Sequence, residues 1–241
     1  MTPRGSIVCS IALAGACQIA PAQSLMFDEY APGTALHGVD GWLGWDNNAA
    51  SGASTSALFA HSGSGSVAIR GSASGATSDL VHEYNLTSGQ WQFTAWQYIP
   101  SGATGDTYFI LMDTYAAGGA KHWATQLRFD LTNSTVTDNL FGTFGNLPVV
   151  RDQWVPIRVD IDLGANSQSI WYNGQHLTTV AWNRYGGGAA RLQAVDLYGS
   201  TTTTVYYDDV GVAALPTPGS VSLATAGVAA SVLRRRARVP G

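Results

Sequence analysis

The feature that most constrains the fold is a series of short runs rich in β-branched and aromatic residues, separated by glycine, asparagine, aspartate and serine. Such runs predict β-strands joined by turns, and no helical period is evident between residues 25 and 212. The clearest runs are WQFTAWQYIP (91–100), DTYFILMDTY (106–115), KHWATQLRFD (121–130), WVPIRVDIDL (154–163), QSIWYNG (168–174), RLQAVDLYG (191–199) and TVYYDDVGV (204–212). Asn173-Gly174 suits a tight primed turn, so WYNGQHL is predicted to be a hairpin. Many short strands of this kind predict a single all-β sandwich or jelly roll.

Alternation within the runs predicts which side chains face the core. WVPIRVDIDL alternates apolar and charged residues, as expected of a strand with one buried face. Strict alternation in KHWATQLRFD places Trp123, Leu127 and Phe129 on the apolar face, with Gln126 and Arg128 opposite. DTYFILMDTY is apolar on both faces at its centre, which predicts a middle strand.

The polar faces of several strands predict a shared binding surface if those strands are neighbours. Aromatic rings stack on the apolar faces of sugars, and planar polar side chains bond sugar hydroxyls. The alternative is that the aromatic residues fill the core and the charges pair among themselves. The candidate glycan-binding residues are Trp96, Asp113, Tyr115, Gln126, Arg128, Arg158, Asp160, Asp196 and Tyr198.

Charge is distributed unevenly along the chain. Five of the twelve basic residues lie near the two ends, and all sixteen acidic residues lie between Asp28 and Asp209, so the middle has a net charge of −9. Because phosphate binding needs a basic face, this balance argues against a nucleic-acid partner. It is compatible with a neutral glycan or with divalent cations.

Residues 1–22 are predicted to be a secretory signal peptide. Arg4 precedes an apolar run, and APA at residues 20–22 resembles a cleavage site. Both cysteines, Cys9 and Cys17, lie in this leader, so the domain expected at residues 23–213 has no disulfide and no thiol nucleophile. LAGAC approaches a lipoprotein cleavage box, which leaves lipidation of Cys17 as an alternative.

Several loose motifs of the central region resemble one class of secreted β-sandwich. They are FDEY (27–30), GW (41–42), SGQWQFTAWQYIPS (88–101), the strand from Trp154 followed by WYNG, and the closing VYYDDVGV. Together they resemble the concanavalin A-like, laminin-G-like jelly rolls of secreted bacterial proteins. The resemblance implies a single antiparallel β-sandwich and supports the fold better than any activity.

Residues 214–241 resemble the PEP-CTERM sorting signal, which pairs with an exosortase membrane protease. The tail has a short proline motif, an apolar segment at residues 221–233 and a cluster of arginines, in that order. Its motif residues are Pro216, Thr217, Pro218, Gly219, Arg234, Arg235 and Arg236. Thr217 replaces the family's usual glutamate, and the cleavage position stays open. The resemblance implies transient insertion in the inner membrane and delivery to the cell surface or extracellular polysaccharide of a Gram-negative bacterium.

A group of carboxylates near the two ends of the domain predicts a cation site. Asp28 and Glu29 lie near the first strand and Asp208 and Asp209 in the last, and these strands often pair in a jelly roll. Adjacent carboxylates repel one another unless a cation or hydrogen bonds offset their charge, and Ca²⁺ prefers oxygen ligands. The resemblance also implies a structural calcium there, with Glu29 and Asp209 as the favoured ligands. The alternative is a set of solvated carboxylates.

Catalytic motifs are weak. The chain has two glutamates, Glu29 and Glu83, and no Glu-x-Asp-x-x-Glu strand of the laminarinase type. Asp160 and Asp162 lie two residues apart on one strand, about 6.5–7 Å between Cα atoms, which suits an inverting acid/base pair but holds for any D-x-D strand. A lyase would need a His/Tyr pair, for which the candidates are His82, His122 and His176.

We therefore expect a secreted, non-catalytic protein associated with glycans. A polysaccharide hydrolase or lyase and a purely structural matrix protein are the alternatives.

Overall fold

A computed structural model describes residues 23–186 and 189–216 of the chain. These residues form an all-β sandwich of two antiparallel sheets, which confirms the predicted fold class. The predicted leader, and the predicted tail beyond Pro216, lie outside the described residues. Within the described ranges, no helix has the length and apolar character needed to cross a membrane.

The described part of the chain contains fifteen strands, some of them very short. They are β1 (Gln23–Leu25), β2 (Trp42–Gly44), β3 (Ser54–Ser56), β4 (Ser66–Arg70), β5 (Asp79–Leu86), β6 (Gln90–Tyr98), β7 (Asp106–Tyr115), β8 (Lys121–Asp130), β9 (Thr135–Asp138), β10 (Phe144–Pro148), β11 (Trp154–Asp162), β12 (Ser167–Tyr172), β13 (Gln175–Ala181), β14 (Leu192–Tyr198) and β15 (Thr204–Ala214). Single-turn 3-10 helices lie at Trp45–Asn47, Ala49–Ser51 and Ser72–Ser74.

The strands divide into an eight-stranded and a seven-stranded sheet among the described residues. The first has the order β13-β12-β11-β6-β15-β4-β3, with β1 also paired to β15. The second has the order β10-β9-β8-β7-β14-β5-β2. As predicted, the first and last strands pair, with Leu25 opposite Val210.

The core lies between the two sheets and is built from alternate residues of their strands. Phe93 of β6 packs against Phe109 of β7 at a centroid distance of 5.8 Å, and Phe129 of β8 packs against Tyr172 of β12 at 5.5 Å. Each of these side chains is almost fully buried. Gln168 of β12 reaches across the core, where it accepts a hydrogen bond from the Thr125 hydroxyl. The sheets are thus held by apolar burial and by a polar cross-link.

The predicted hairpin is confirmed. β12 and β13 pair directly, and the turn residues Asn173 and Gly174 have φ values of 48° and 72°. A type I′ turn requires positive φ at both central positions, which Asn-Gly tolerates well.

Candidate functional site

A pocket of about 370 Å³ opens on the outer face of the seven-stranded sheet, the face that points away from the other sheet. In the strands beneath it, inward residues such as Phe109 and Leu127 are fully buried in the core. Their neighbours Tyr108 and Gln126 point outward into the pocket. We call this site the aromatic pocket; it is lined by Trp45, Asp79, Tyr108, Ile110, Trp123, Gln126, Asp196, Tyr198 and Ser200.

Two stacked pairs of rings form the walls of the aromatic pocket. Tyr108 and Tyr198, on neighbouring strands, stack with centroids 5.8 Å apart and planes 25° apart. Trp45 and Trp123 stack at 6.2 Å with planes 22° apart. The pocket therefore presents four ring systems around one opening.

Trp45 reaches the pocket from a loop that is tied to β7 and β8. The backbone N–H of Asp46 donates to the Tyr115 hydroxyl at 3.1 Å, and the Asp46 carboxylate accepts from the Gly118 N–H at 2.8 Å. Lys121 Nζ lies 2.6 Å from that carboxylate and 5.1 Å from the Trp45 ring centroid. The Lys121 ammonium also lowers the pKa of Asp46. These contacts fix the position of Trp45 over the sheet.

Trp123 reaches the pocket because of a β-bulge in β8. Leu111 pairs with Thr125 and Met112 pairs with Trp123, which leaves Ala124 as an extra residue. An extra residue reverses the alternation of side chains beyond it. The prediction that Trp123 shares the core face with the apolar residues of its strand is therefore wrong.

The floor of the pocket holds two neighbouring carboxyl groups. Asp79 of β5 and Asp196 of β14 lie on adjacent strands, and Asp196 is only 2% exposed. Burial, followed by the charge of Asp79, raises the pKa of Asp196 well above its usual value, and burial raises the pKa of Asp79. Two adjacent carboxyls do not both ionise easily, so these two groups titrate as a pair and not independently.

A row of aromatic rings continues from the pocket toward the edge of the sheet. The ring centroids of Tyr185 and Trp123 lie 6.1 Å apart, and those of Phe141 and Tyr185 lie 4.8 Å apart. His122 stacks on Tyr185 at 4.9 Å. Phe141 is 63% exposed and Tyr185 is 39% exposed, so this row offers apolar surface beyond the pocket itself.

The nine predicted glycan-binding residues do not form one surface. Gln126, Asp196 and Tyr198 line the aromatic pocket. Arg128, Asp113 and Tyr115 belong to the same sheet outside the pocket lining. The remaining three lie on the eight-stranded sheet, because β6 and β11 belong to it; they are Trp96, Arg158 and Asp160.

Arg128 and Tyr115 have close structural partners, whereas neither buried carboxylate oxygen of Asp113 has a hydrogen-bond partner in the described structure. Arg128 Nη2 lies 3.0 Å from Asp106 and 3.2 Å from Asp130. Tyr115 is buried beneath Trp45, with ring centroids 5.3 Å apart. Asp113 is fully buried, and one of its oxygens lies 3.8 Å from Nδ1 of His122.

On the eight-stranded sheet, the predicted residues contact one another and the loop above them. His61 covers Trp96, with ring centroids 3.7 Å apart. The Arg158 guanidinium lies 4.4 Å from the Trp171 ring centroid and 3.3 Å from Asp160. The ion pair between Arg158 and Asp160 matches the alternative given in the sequence analysis, in which the charged residues pair among themselves.

The carboxylates of the predicted calcium site mainly hold the loop at residues 59–65. Asp208 accepts from the backbone N–H of His61 at 2.8 Å. Asp209 contacts Nδ1 of His61 at 2.6 Å and accepts from the Ser62 hydroxyl at 2.8 Å. Asp28 accepts from the Gly65 N–H at 2.9 Å.

Within the ranges that the structure describes, no three acidic, histidine or cysteine side chains converge as metal ligands. Protein donors reach Asp28, Asp208 and Asp209, so the contacts of these three carboxylates with the loop do not depend on a cation. Calcium binding stays a prediction.

The residues considered for catalysis are dispersed. Asp162 lies on the outer face of the eight-stranded sheet, where hydrogen bonds from the Ala165 N–H and then from Gln90 lower its pKa. His82 is buried, and burial lowers its pKa. His176 bonds Thr179 at 2.9 Å, and Asp160 accepts from a glutamine of β6.

Trp45, Asp79, Tyr108 and Trp123 were not predicted as site residues. Tyr108 had a usable signal, since the strand that carries it is apolar on both faces. Trp45 had none, because only the tertiary contacts of its loop bring it to the sheet.

Comparison with known proteins supports the fold. No protein-family model matches the chain, and no curated protein has a significantly similar sequence. A solved sialidase structure is similar with a TM-score of 0.53 at 5% identity, over 80% of this chain but only 18% of the sialidase chain. The T. cruzi calreticulin globular domain is similar with a TM-score of 0.50 at 8% identity, over 84% of this chain and 95% of that chain. At such identities the similarity shows the fold alone, that of an antiparallel β-sandwich.

Proposed function

We propose that this protein is a secreted, non-catalytic β-sandwich that binds extracellular polysaccharide through the aromatic pocket. The observation that carries the proposal is the meeting of Trp45, Trp123, Tyr108 and Tyr198 above polar groups on one open face. Rings of this kind stack on the apolar faces of sugars. The pocket volume of about 370 Å³ falls within the usual range of ligand sites, and the row through Tyr185 provides surface for further sugar units.

The geometry of the carboxyl groups supports binding rather than hydrolysis. Glycosidases hold their two carboxyls ~5–5.5 Å apart for retention or ~6.5–9.5 Å apart for inversion. Asp79 and Asp196 instead lie side by side on adjacent strands in the floor of one pocket, and not on opposite sides of its opening. Asp162 has a lowered pKa, whereas a general acid needs a raised one.

The predicted leader and tail support a role at the cell surface. We propose that the leader directs export and that residues 214–241 anchor the chain in the inner membrane until an exosortase-type protease removes the tail. The product would then join the cell surface or the extracellular polysaccharide of a Gram-negative bacterium.

A glycan array combined with a reducing-sugar assay on the purified protein tests the proposed function. We expect binding without turnover. Turnover of any polysaccharide would establish the enzyme alternative. Neither binding nor turnover would favour a structural matrix protein.

Substitution of a wall residue tests whether the aromatic pocket is the binding site. We expect Trp123→Ala to weaken binding at least about tenfold, the equivalent of ~1.4 kcal/mol, and Trp123→Phe to retain most of it. Trp171→Ala on the opposite sheet is the matched control and should bind like wild type. Equal loss of affinity in Trp123→Ala and Trp171→Ala would contradict the aromatic pocket as the binding site.

A further inference from the structure

The charge around the aromatic pocket is negative. Its described lining includes the two carboxyl groups of the floor and no lysine or arginine. The neighbouring cations are already paired, Lys121 with Asp46 at 2.6 Å and Arg128 with Asp106 at 3.0 Å. A ligand that enters the pocket therefore meets two carboxyl groups that no lysine or arginine of the lining neutralises.

The floor pair also lacks hydrogen-bond donors. In the described structure, Oδ1 of Asp79 and Oδ1 of Asp196 are buried and have no hydrogen-bond partner. A buried charge without donors is costly. A ligand that supplies donors, or a positive charge, relieves that cost.

The walls add a second attraction for a cation. Ammonium groups are drawn to the faces of tryptophan and tyrosine rings within ~6 Å, and four such rings surround this floor. Aromatic walls over a carboxylate floor are complementary to a sugar that has an apolar face and a positive charge. A uronate brings a second negative charge into the same low-dielectric space and is repelled.

We propose that the aromatic pocket selects hexosamine units with a free amino group, whose ammonium lies against Asp79 and Asp196 while the sugar ring stacks on the walls. N-acetylated or neutral sugars bind more weakly, and polyuronates do not bind. This inference rests on the proposed function, because it names the class of glycan for the same site.

Calorimetry with three defined oligomers tests the selectivity. The probes are glucosamine hexamer, N-acetylglucosamine hexamer and an oligomer of a hexuronic acid. We expect the glucosamine hexamer to bind at least about tenfold more tightly than the acetylated one, and the uronate to show no binding. The ratio of the two hexamer affinities should fall as the salt concentration rises, because salt screens charge–charge attraction.

The double variant Asp79→Asn with Asp196→Asn removes both carboxyl groups of the floor, and it should make the affinities for the two hexamers nearly equal. Asp162→Asn is the matched control, since it removes one carboxylate from the opposite sheet and should keep the preference. Thermal unfolding of each variant checks that it is folded. If the double variant does not fold, the salt dependence of wild-type binding decides the question.

Two results separate the inference from the proposed function. Equal binding of the two hexamers, or tighter binding of the uronate, overturns the amino-sugar inference and leaves glycan binding in place. Absence of binding to every glycan, on the array as well as in calorimetry, overturns the proposed function and the inference together.

Discussion

Asp79 and Asp196 lie beneath four aromatic rings, and the burial of Asp196 makes stability depend on pH. The pKa of Asp196 is raised in the folded protein, mainly by burial. The folded state therefore binds more protons than the unfolded chain. Stability from this group is fully present below the unfolded pKa of ~3.9 and is lost as pH rises through the folded pKa.

We expect Asp196→Asn to remove the loss of stability that wild type shows as pH rises. The melting temperature of the variant should be close to that of wild type near pH 4 and several degrees higher near pH 8. In a domain of this size, each kcal/mol of unfolding free energy shifts the melting temperature by roughly 2–4 °C. Scanning calorimetry across this range measures the difference. Asp162→Asn provides the contrast, because the pKa of Asp162 is lowered and its removal should not stabilise the protein at high pH. A melting difference between Asp196→Asn and wild type that does not grow with pH would contradict the buried-pair assignment.

His61 tests the role of the carboxylates at the end of β15. Nδ1 of its imidazole lies 2.6 Å from a carboxylate oxygen of Asp209, and the ring stacks on Trp96 with centroids 3.7 Å apart. The melting temperature in excess EDTA tests the predicted calcium, and an unchanged value would show that protein donors alone hold these carboxylates. His61→Ala should lower stability by about 1–2 kcal/mol, since it removes a charge-assisted hydrogen bond and a ring contact. A fall of several degrees in EDTA, reversed by added calcium, would establish the calcium site instead.

At the scale of elements, the hairpin between β12 and β13 depends on its turn residues. Gly174 has φ +72° and open space around the position of a Cβ atom, so an alanine there is strained by its backbone and not by a clash. We expect Gly174→Ala to destabilise the protein by about 1 kcal/mol. Gly102 has equally open surroundings and a φ outside the left-handed range, so Gly102→Ala should be neutral or slightly stabilising. Chemical denaturation of the two variants compares them, and equal effects would contradict the turn assignment.

The same scale shows why part of the site could not be predicted. Alternation placed Gln126 and Arg128 on the outer face, and the structure agrees. It failed at Trp123, because a bulge adds one residue and is not visible in the residue pattern. Asp79 was missed because β5 has the sequence DLVHEYNL, in which polar residues mask the strand.

At the scale of the whole molecule, the fold was more predictable than the site. All seven predicted runs are strands, since long alternating segments with β-branched and aromatic residues have few other ways to bury an apolar face. Short or exposed strands such as β1 and β10 carry too little pattern to be recognised. The sheet to which each strand belongs depends on long-range pairing, and for this reason Trp96 and Tyr198 were expected on one surface but lie on different sheets.

The predicted tail also acts at the scale of the whole molecule, because it would decide where the domain is delivered. The apolar segment at residues 221–233 would extend about 20 Å as a helix at ~1.5 Å per residue, against ~30 Å for a hydrocarbon core. Such a segment suits a temporary anchor better than a permanent one. Positive charges hold the end of a membrane segment in the cytoplasm, so Arg234, Arg235 and Arg236 should orient the tail for the protease.

We expect joint substitution of these three arginines by glutamine to slow removal of the tail. In a host that produces exosortase, pulse-chase labelling and mass spectrometry should show the wild type shortening and leaving the inner membrane. The triple variant should accumulate as a longer, membrane-bound form. Arg238→Gln lies outside the cluster and should be processed like wild type. Processing of the triple variant at the wild-type rate would contradict a sorting role for the arginines, because charge would then have no part in presenting the tail.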